Sequence, residues 1–215
     1  MKILTFVTAK GGAGKSTLAA SIGVAAAESG EKVFLIDLDP QGSLASWGNR
    51  RQADEPAVDR IGPDKLPAAL AGLANAGYTL AIIDTAGVDT PGSLPAMRLA
   101  DLALIPARPS ALDIEAARPT MAALERLRRS YAFVMNACPP GKSARLEDAG
   151  RALSLLGILA APPIVHRAGH MDAMALGLGI TEHDPNGKGA DEIRALWHWV
   201  KRRTEKMTDV QASVA

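Results

Sequence analysis

An α/β architecture is what this 215-residue chain encodes: a doubly wound, mainly parallel sheet with helices on both faces, folded as a single domain. Three observations carry that expectation. Apolar runs of strand length alternate with longer segments of helical character. The runs are continuously apolar rather than alternating in polarity, as in strands covered on both faces. A glycine-rich loop follows the first run directly and leads into a helix. Strands joined through helices pack as right-handed crossovers, and such sheets take ligands at the carboxyl ends of their strands.

The elements follow in order. A first strand over Ile3–Thr8 leads to a helix over Ser16–Ser29. The second strand, Val33–Asp37, ends in a carboxylate, and the next helix covers Asp64–Ala76. Strands at Leu80–Asp84 and Leu102–Pro106 precede a helix over Ile114–Arg129. Pro119 inside it predicts a kink or a late start, because proline lacks an amide and crowds the preceding turn. A strand at Phe133–Asn136, a helix at Ala144–Leu156, a last strand at Ile164–His166 and a closing helix over Gly189–Lys206 complete the set. Residues 1–207 then form the domain, and 208–215 read as a short flexible tail.

Composition narrows the function. With 47% hydrophobic and 22% charged residues, the chain is an ordinary globular protein rather than a disordered one. The formal net charge of +1 excludes a uniformly basic nucleic-acid coat but leaves room for local basic patches. A lone Cys138 excludes a disulfide framework, a multi-cysteine zinc site and a cysteine-ligated iron–sulfur cluster within one chain. No apolar run reaches the ~18 residues of a membrane span. The start, Met1–Thr8, is too short in its apolar part for a signal peptide. The expectation is a cytoplasmic protein without stable membrane insertion.

The chemistry begins in the loop Ala9-Lys10-Gly11-Gly12-Ala13-Gly14-Lys15-Ser16-Thr17. Glycines let backbone amides turn inward around phosphate oxygens, and the following helix presents its positive end to them. Lys15 would reach the β- and γ-phosphates and the Ser16 hydroxyl would ligand Mg2+. The general pattern has glycine where Ala9 stands, and Lys10 adds a cation at the loop's start. A glycine-rich turn that binds nothing is the plain alternative, which the Gly-Lys-Ser-Thr order between strand and helix disfavours. In Asp37-Leu38-Asp39-Pro40-Gln41-Gly42-Ser43, two acids at i and i+2 at a strand's carboxyl end point the same way. Capping a turn or helix is the ordinary alternative. Leu80–Asp84 reads as a buried strand delivering a carboxylate to a magnesium shell.

The Lys10-Gly-Gly-Ala-Gly-Lys-Ser-Thr17 stretch resembles the deviant phosphate loop of the ParA/MinD family of P-loop ATPases. The resemblance implies ATP and Mg2+ as cofactors, with Gly11, Gly12, Ala13, Gly14, Lys15, Ser16 and Thr17 on the nucleotide. It implies that Lys10 crosses to the partner's nucleotide in an ATP-sandwiched homodimer. The Asp-x-Asp-Pro-Gln-Gly segment gives Asp39 the role of positioning the attacking water, with Asp37 contacting Mg2+ or the loop. An ordinary aspartate is too weak a base to ionise water, so Asp39 should mainly orient it. Asp84 takes the Walker B role on Mg2+. Thr85–Gly92 resembles the family's second switch, with Ala86 and Val88 in unusual places, and its small residues would let it respond to the γ-phosphate. Pro106–Asp113 matches a Pro-x-x-Pro-Ser-x-x-Asp stretch that contacts the site or caps a helix. Asn136 matches an asparagine near the base, although strand-end asparagines also pair with backbone. Glu182–Ala190 resembles the family's closing motif.

Two basic regions bear on partners: Arg126, Arg128 and Arg129, and Lys201, Arg202, Arg203 and Lys206, with Arg167 where several relatives contact DNA. A solvated helix face is the ordinary reading of each. The sharper one is a sequence-blind phosphate track assembled across a dimer. His166 and His170 stand at i, i+4 without an evident third ligand, and His198 reads as packing or surface. The expected function is that of a small partitioning ATPase: ATP drives dimerisation, the dimer binds nonspecific DNA and becomes nucleoid-associated, and a centromere-binding or other adaptor protein stimulates hydrolysis. With the phosphate loop starting at residue 9, no room is expected for an N-terminal operator-reading domain. A MinD-like switch for a protein assembly or membrane-linked cargo is the alternative, and an ATP-dependent small-molecule ligase a weaker one.

Overall fold

The computed structural model describes residues 1–87 and 90–214, with residues 207–214 by their backbone alone. In chain order its elements are β1 (Lys2–Phe6), α1 (Lys15–Glu28), β2 (Val33–Asp37), α2 (Ser43–Arg50), β3 (Ala57–Arg60), α3 (Leu66–Asn75), β4 (Leu80–Asp84), α4 (Ser93–Leu99), β5 (Leu102–Ala107), α5 (Ala111–Arg126), β6 (Tyr131–Met135), α6 (Ala144–Leu156), α7 (Ala168–Ala175), α8 (Ile180–His183) and α9 (Lys188–Val214). The strands form one sheet in the order β3-β2-β4-β1-β5-β6, parallel at every pairing.

The continuous apolar runs are explained by burial on both faces. Leu4, Phe6, Leu35, Ile82 and Leu104 point to one face and pack with α1, α2 and α9 through Ile22, Trp47, Ile193 and Trp197. On the other face Ala103, Ile105 and Phe133 meet α5 and α6, while Ile36, Ala81 and Ile83 meet α3 and α4. Helix α1 runs between sheet and α9, and its stretch from Leu18 to Ala26 is buried throughout. That accounts for a helix that is apolar on all sides.

Several expectations need correction. Edge strand β3 was not foreseen: it is four residues long, and its last two are exposed. Ile164–His166 is not a strand but an extended segment that meets the chain just past β6 at the isolated bridge Cys138↔Val165. Helix α5 begins at Ala111, earlier than expected, because the Ser110 side chain accepts the Asp113 amide as its cap, and it continues through Pro119. Helix α9 carries on through the expected tail to Val214.

The register fixes the site. Phe6 of β1 and Asp37 of β2 both pair with Asp84 of β4, so the three central strands end at one level. The phosphate loop leaves β1 at that level, between two carboxylates and the crossover to α1.

Candidate nucleotide site

Strand β1 must turn into α1 within a few residues, and the turn is made by Gly12 and Gly14 at positive φ. Gly14 is the N-cap of α1 and provides no side-chain cap, so the first amides of the helix face outward for an anion. A side chain at Gly14 is excluded twice over: its φ is +91°, and a Cβ would lie 2.2 Å from Asn136 Nδ2. The loop's outer carbonyls are tied down. Asn136 donates from Nδ2 to the Ala13 carbonyl at 2.8 Å, and Arg108 donates from Nη2 to the Gly12 carbonyl. Lys15 is buried at the start of α1.

The carboxylates differ in their surroundings. Asp37 is engaged on both oxygens by backbone: Oδ1 accepts the Asp39 amide at 2.9 Å and Oδ2 the Ala45 amide at 2.8 Å. These bonds tie it to the Asp39 loop, one of the two roles foreseen for it. Asp39 is half-buried, and its Oδ1 accepts the Gln41 amide at 2.9 Å. Asp84 is fully buried. Its Oδ2 accepts from the Ser16 hydroxyl at 2.5 Å, while Oδ1 has no partner among the described residues. Burial pushes its carboxyl up to about 7, against the hydrogen bond from Ser16 and with a further push from the Asp37 charge. An orphaned carboxylate oxygen beside a hydroxyl fits a magnesium ion, whose other positions would fall to water and phosphate oxygens. No group of three or more His, Cys, Asp or Glu side chains forms a metal cage among the described residues.

The loop and Asp39 open on a cavity of about 720 Å³, lined by Gly11, Gly12, Gly14, Lys15, Ser16 and Thr17 on one side and Asp39 on another, with Asp37 and Asp84 buried behind it. A volume of that size suits a nucleotide. Of its far wall, sequence placed only Asn136 at the nucleotide. Asn136, Val165, His166, Arg167, His170 and Met171 line it, because the extended segment after β6 and the start of α7 fold over the carboxyl end of the sheet. Asn136 lines the cavity, and its hydrogen bond is to the loop. His170 is buried, and burial lowers its pKa, so its ring stays neutral at physiological pH. Arg108 was visible only as part of a motif, and nothing about its spacing foretold its contact with Gly12. Val88 and Asp89 of the expected second switch lie outside the described residues. Around them, Thr90 Oγ1 donates to the Gly87 carbonyl at 2.9 Å, and Ser93 Oγ donates to the same oxygen.

Lys10 stands at the edge of the loop, bound in cis. Its Nζ donates to Asp113 Oδ2 at 2.6 Å. Burial raises the Asp113 pKa, yet the bonds from Lys10 and Ser110 hold it below the usual carboxylate range. The basic residues singled out as DNA contacts do not share one free face. Arg167 lines the nucleotide cavity and donates to Glu192 at 2.5 Å. Lys201 donates to Glu31 at 2.7 Å. Arg203 is half-buried, with Nε lacking a partner among the described residues. Arg202 and Lys206 are exposed one turn apart on α9, as are Arg126, Arg128 and Arg129 at the end of α5. No helix among the described residues is long and apolar enough to cross a membrane.

A sequence model of the CobQ/CobB/MinD/ParA nucleotide binding domain matches residues 4–201. The "Maintenance of carboxysome distribution protein A" of Gloeobacter kilaueensis is 28% identical over 209 residues, 95% of this chain and 94% of that protein. The "Protein ParA" of Rhizobium radiobacter is 34% identical over 115 residues, 53% of this chain and 51% of that one. Among solved structures, the septum site-determining protein MinD of Pyrococcus horikoshii, complexed with Mg-ADP, superposes with a TM-score of 0.78 at 20% identity, covering 96% of this chain and 98% of that one. The chain thus belongs to the CobQ/CobB/MinD/ParA nucleotide-binding family and is an ATPase of its ParA/MinD type, the branch concerned with positioning and partitioning.

Proposed function

We propose that this ATPase is a partitioning switch: ATP brings two copies face to face, the pair holds DNA without reading its sequence, and an adaptor protein stimulates the hydrolysis that releases it. The observation that carries this reading is the convergence of Gly11, Gly12, Gly14, Lys15, Ser16, Thr17 and Asp39 on one cavity, with the buried Asp84 carboxylate directly behind Ser16. Bound Mg-ATP supplies the phosphoryl group that passes to water. The chain's amides and Lys15 hold the phosphates and offset their charge, Ser16 and Asp84 hold the metal, and Asp39 orients the water. Lys10 reaches a partner's nucleotide only by exchanging Asp113 for phosphate, so γ-phosphate and dimer formation are linked through one broken ion pair. Arg202 and Lys206 on α9 and Arg126, Arg128 and Arg129 at the end of α5 are exposed cations that can meet DNA. One subunit's contribution is small, and pairing doubles it.

A second reading is favoured by the near-complete overlap with a carboxysome distribution protein. In that reading the same switch distributes a protein assembly rather than DNA.

The test measures mass by light scattering and DNA retention with ADP, ATP and a nonhydrolysable analogue, for the wild type and for Lys10→Ala and Arg202→Ala. ATP should dimerise the wild type, and Lys10→Ala should stay monomeric. Arg202→Ala should bind DNA more weakly, with the log–log salt slope shallower by about 1 for each phosphate that Arg202 neutralises in each subunit. Dimerisation without DNA retention would favour the protein-assembly reading, and absence of both would remove the switch.

A further inference from the structure

Strand β3 lines no part of the nucleotide cavity, yet it ends beside the catalytic loop. Arg60, its last residue, pairs in register with Asp37 across the parallel ladder. From there the Arg60 side chain reaches the turn that carries Asp39, and its Nη2 donates to the Pro40 carbonyl at 3.1 Å.

Several of the turn's other groups are already committed. The Asp39 carbonyl accepts the Gly42 amide at 2.9 Å, and the Gly42 carbonyl accepts the Ser46 amide at 2.8 Å. Asp37 holds the Asp39 amide, and Asp39 Oδ1 holds the Gln41 amide. The Pro40 carbonyl is left for an outside donor, and Arg60 provides it. The fit is close: Gly42 sits at φ +67°, and a Cβ there would lie 3.4 Å from Arg60 Nη1. Just beyond Arg60, Pro63 packs on Gly92, where a Cβ would lie 3.3 Å from Pro63 Cγ. The end of β3 therefore braces the loop at Asp39 and the loop at Thr90–Gly92 together, and a cleft of about 390 Å³ separates them.

We propose that Arg60 is a positioning residue for ATP hydrolysis, fixing the Pro40 carbonyl from outside the cavity and so setting the Asp39 carboxylate against the attacking water. This rests on the reading that Asp39 orients that water. An exposed arginine at a sheet edge adds little to stability, whereas a small displacement of an orienting group slows chemistry steeply. Edge cations also deter strand pairing between molecules. That ordinary role would leave the hydrolytic step untouched, so the two are separable.

The experiment follows single-turnover hydrolysis at saturating Mg-ATP, nucleotide affinity with a fluorescent ATP analogue, and the urea unfolding midpoint. The variants are Arg60→Ala, Arg60→Lys, Asp39→Asn and the double variant Arg60→Ala with Asp39→Asn. Arg60→Ala should slow hydrolysis by about tenfold with affinity unchanged to within about twofold. Arg60→Lys, which keeps one donor, should recover part of the rate. In the Asp39→Asn background Arg60→Ala should add nothing further. A wild-type rate in Arg60→Ala, a parallel loss of affinity, or a full additional loss in the double variant overturns the proposal. If Asp39→Asn hydrolyses at the wild-type rate, the reading of Asp39 falls and takes Arg60 with it. If Asp39→Asn is slow while Arg60→Ala is normal, Arg60 alone is removed.

Discussion

At Asp84 the chain holds a carboxyl whose ionisation is opposed by burial and whose Oδ1 has no hydrogen-bond partner among the described residues. Its folded pKa, about 7, lies above the ordinary value, so without metal the folded state binds the extra proton. The stability this contributes is full below about pH 4 and is lost as pH rises through about 7. Asp84→Asn should therefore raise the metal-free stability at pH 8, by on the order of 2–4 kcal/mol, while abolishing Mg2+-dependent nucleotide binding. Urea titrations at pH 5 and pH 8, with and without Mg2+, check both halves, and equal midpoints for the two proteins at pH 8 would refute it. Single residues of this kind were legible because strand and carboxylate occur together in sequence: Leu80-Ala81-Ile82-Ile83-Asp84 announces a buried strand with an acid at its end. Asp37 was legible as a site residue, but its division of labour was not. Which backbone amides a carboxylate accepts depends on how the next turn folds, and Ala45 lies eight residues away.

Among the elements, the short ones escaped notice for a common reason. Periodicity needs length, and β3 offers Ala57-Val58-Asp59-Arg60 with half its residues facing solvent. Helices α2, α7 and α8 are also brief, and tertiary contacts hold them. Arg51, at the end of α2, donates to Glu182 of α8 through both terminal nitrogens, at 2.8 and 2.7 Å. Glu182 Oε2 also accepts the Gly179 amide at 2.8 Å, capping α8. Burial raises the Glu182 pKa, but the Arg51 bonds outweigh it and hold it low. Removing one partner leaves the other charge largely buried. Arg51→Met should thus destabilise by about 2–4 kcal/mol. Because the folded pKa is depressed, the pair's stabilisation is present above the ordinary glutamate range and is lost as pH falls through the folded value. The gap between Arg51→Met and wild type should accordingly narrow on acidification, and a gap independent of pH would show that the contact acts through packing alone. The same contact explains why the closing motif, Glu182–Ala190, was recognisable in sequence without its purpose being readable: its partner lies 131 residues earlier.

For the whole molecule, the parallel sheet was readable because its core strands are apolar end to end, and the phosphate loop because its residues are contiguous. The basic surface was not. Charges that look clustered in Lys201-Arg202-Arg203 point in different directions around a helix, and one of them is taken by Glu31. Mg-ATP should stabilise the entire domain, by about 2.7 kcal/mol at about a hundredfold excess over Kd. Thermal melts should show that gain in the wild type and lose it in Lys15→Ala, and a gain that persists in Lys15→Ala would place the nucleotide elsewhere. Two side chains from different strands hold the loop's carbonyls. Arg108 comes from the end of β5 and Asn136 from the end of β6, so the peptide planes at Gly12 and Ala13 are set before any ligand arrives. Capture then needs no induced fit in the cradle: phosphates shed water and dock at a rate near that of encounter. A cradle so rigid greets ADP and ATP alike. Telling a spent nucleotide from a fresh one must fall to the groups around it, Lys10 with its exchangeable Asp113 partner and the loops at Asp39 and Thr90, so the timing of the cycle resides in the rim and not in the grip.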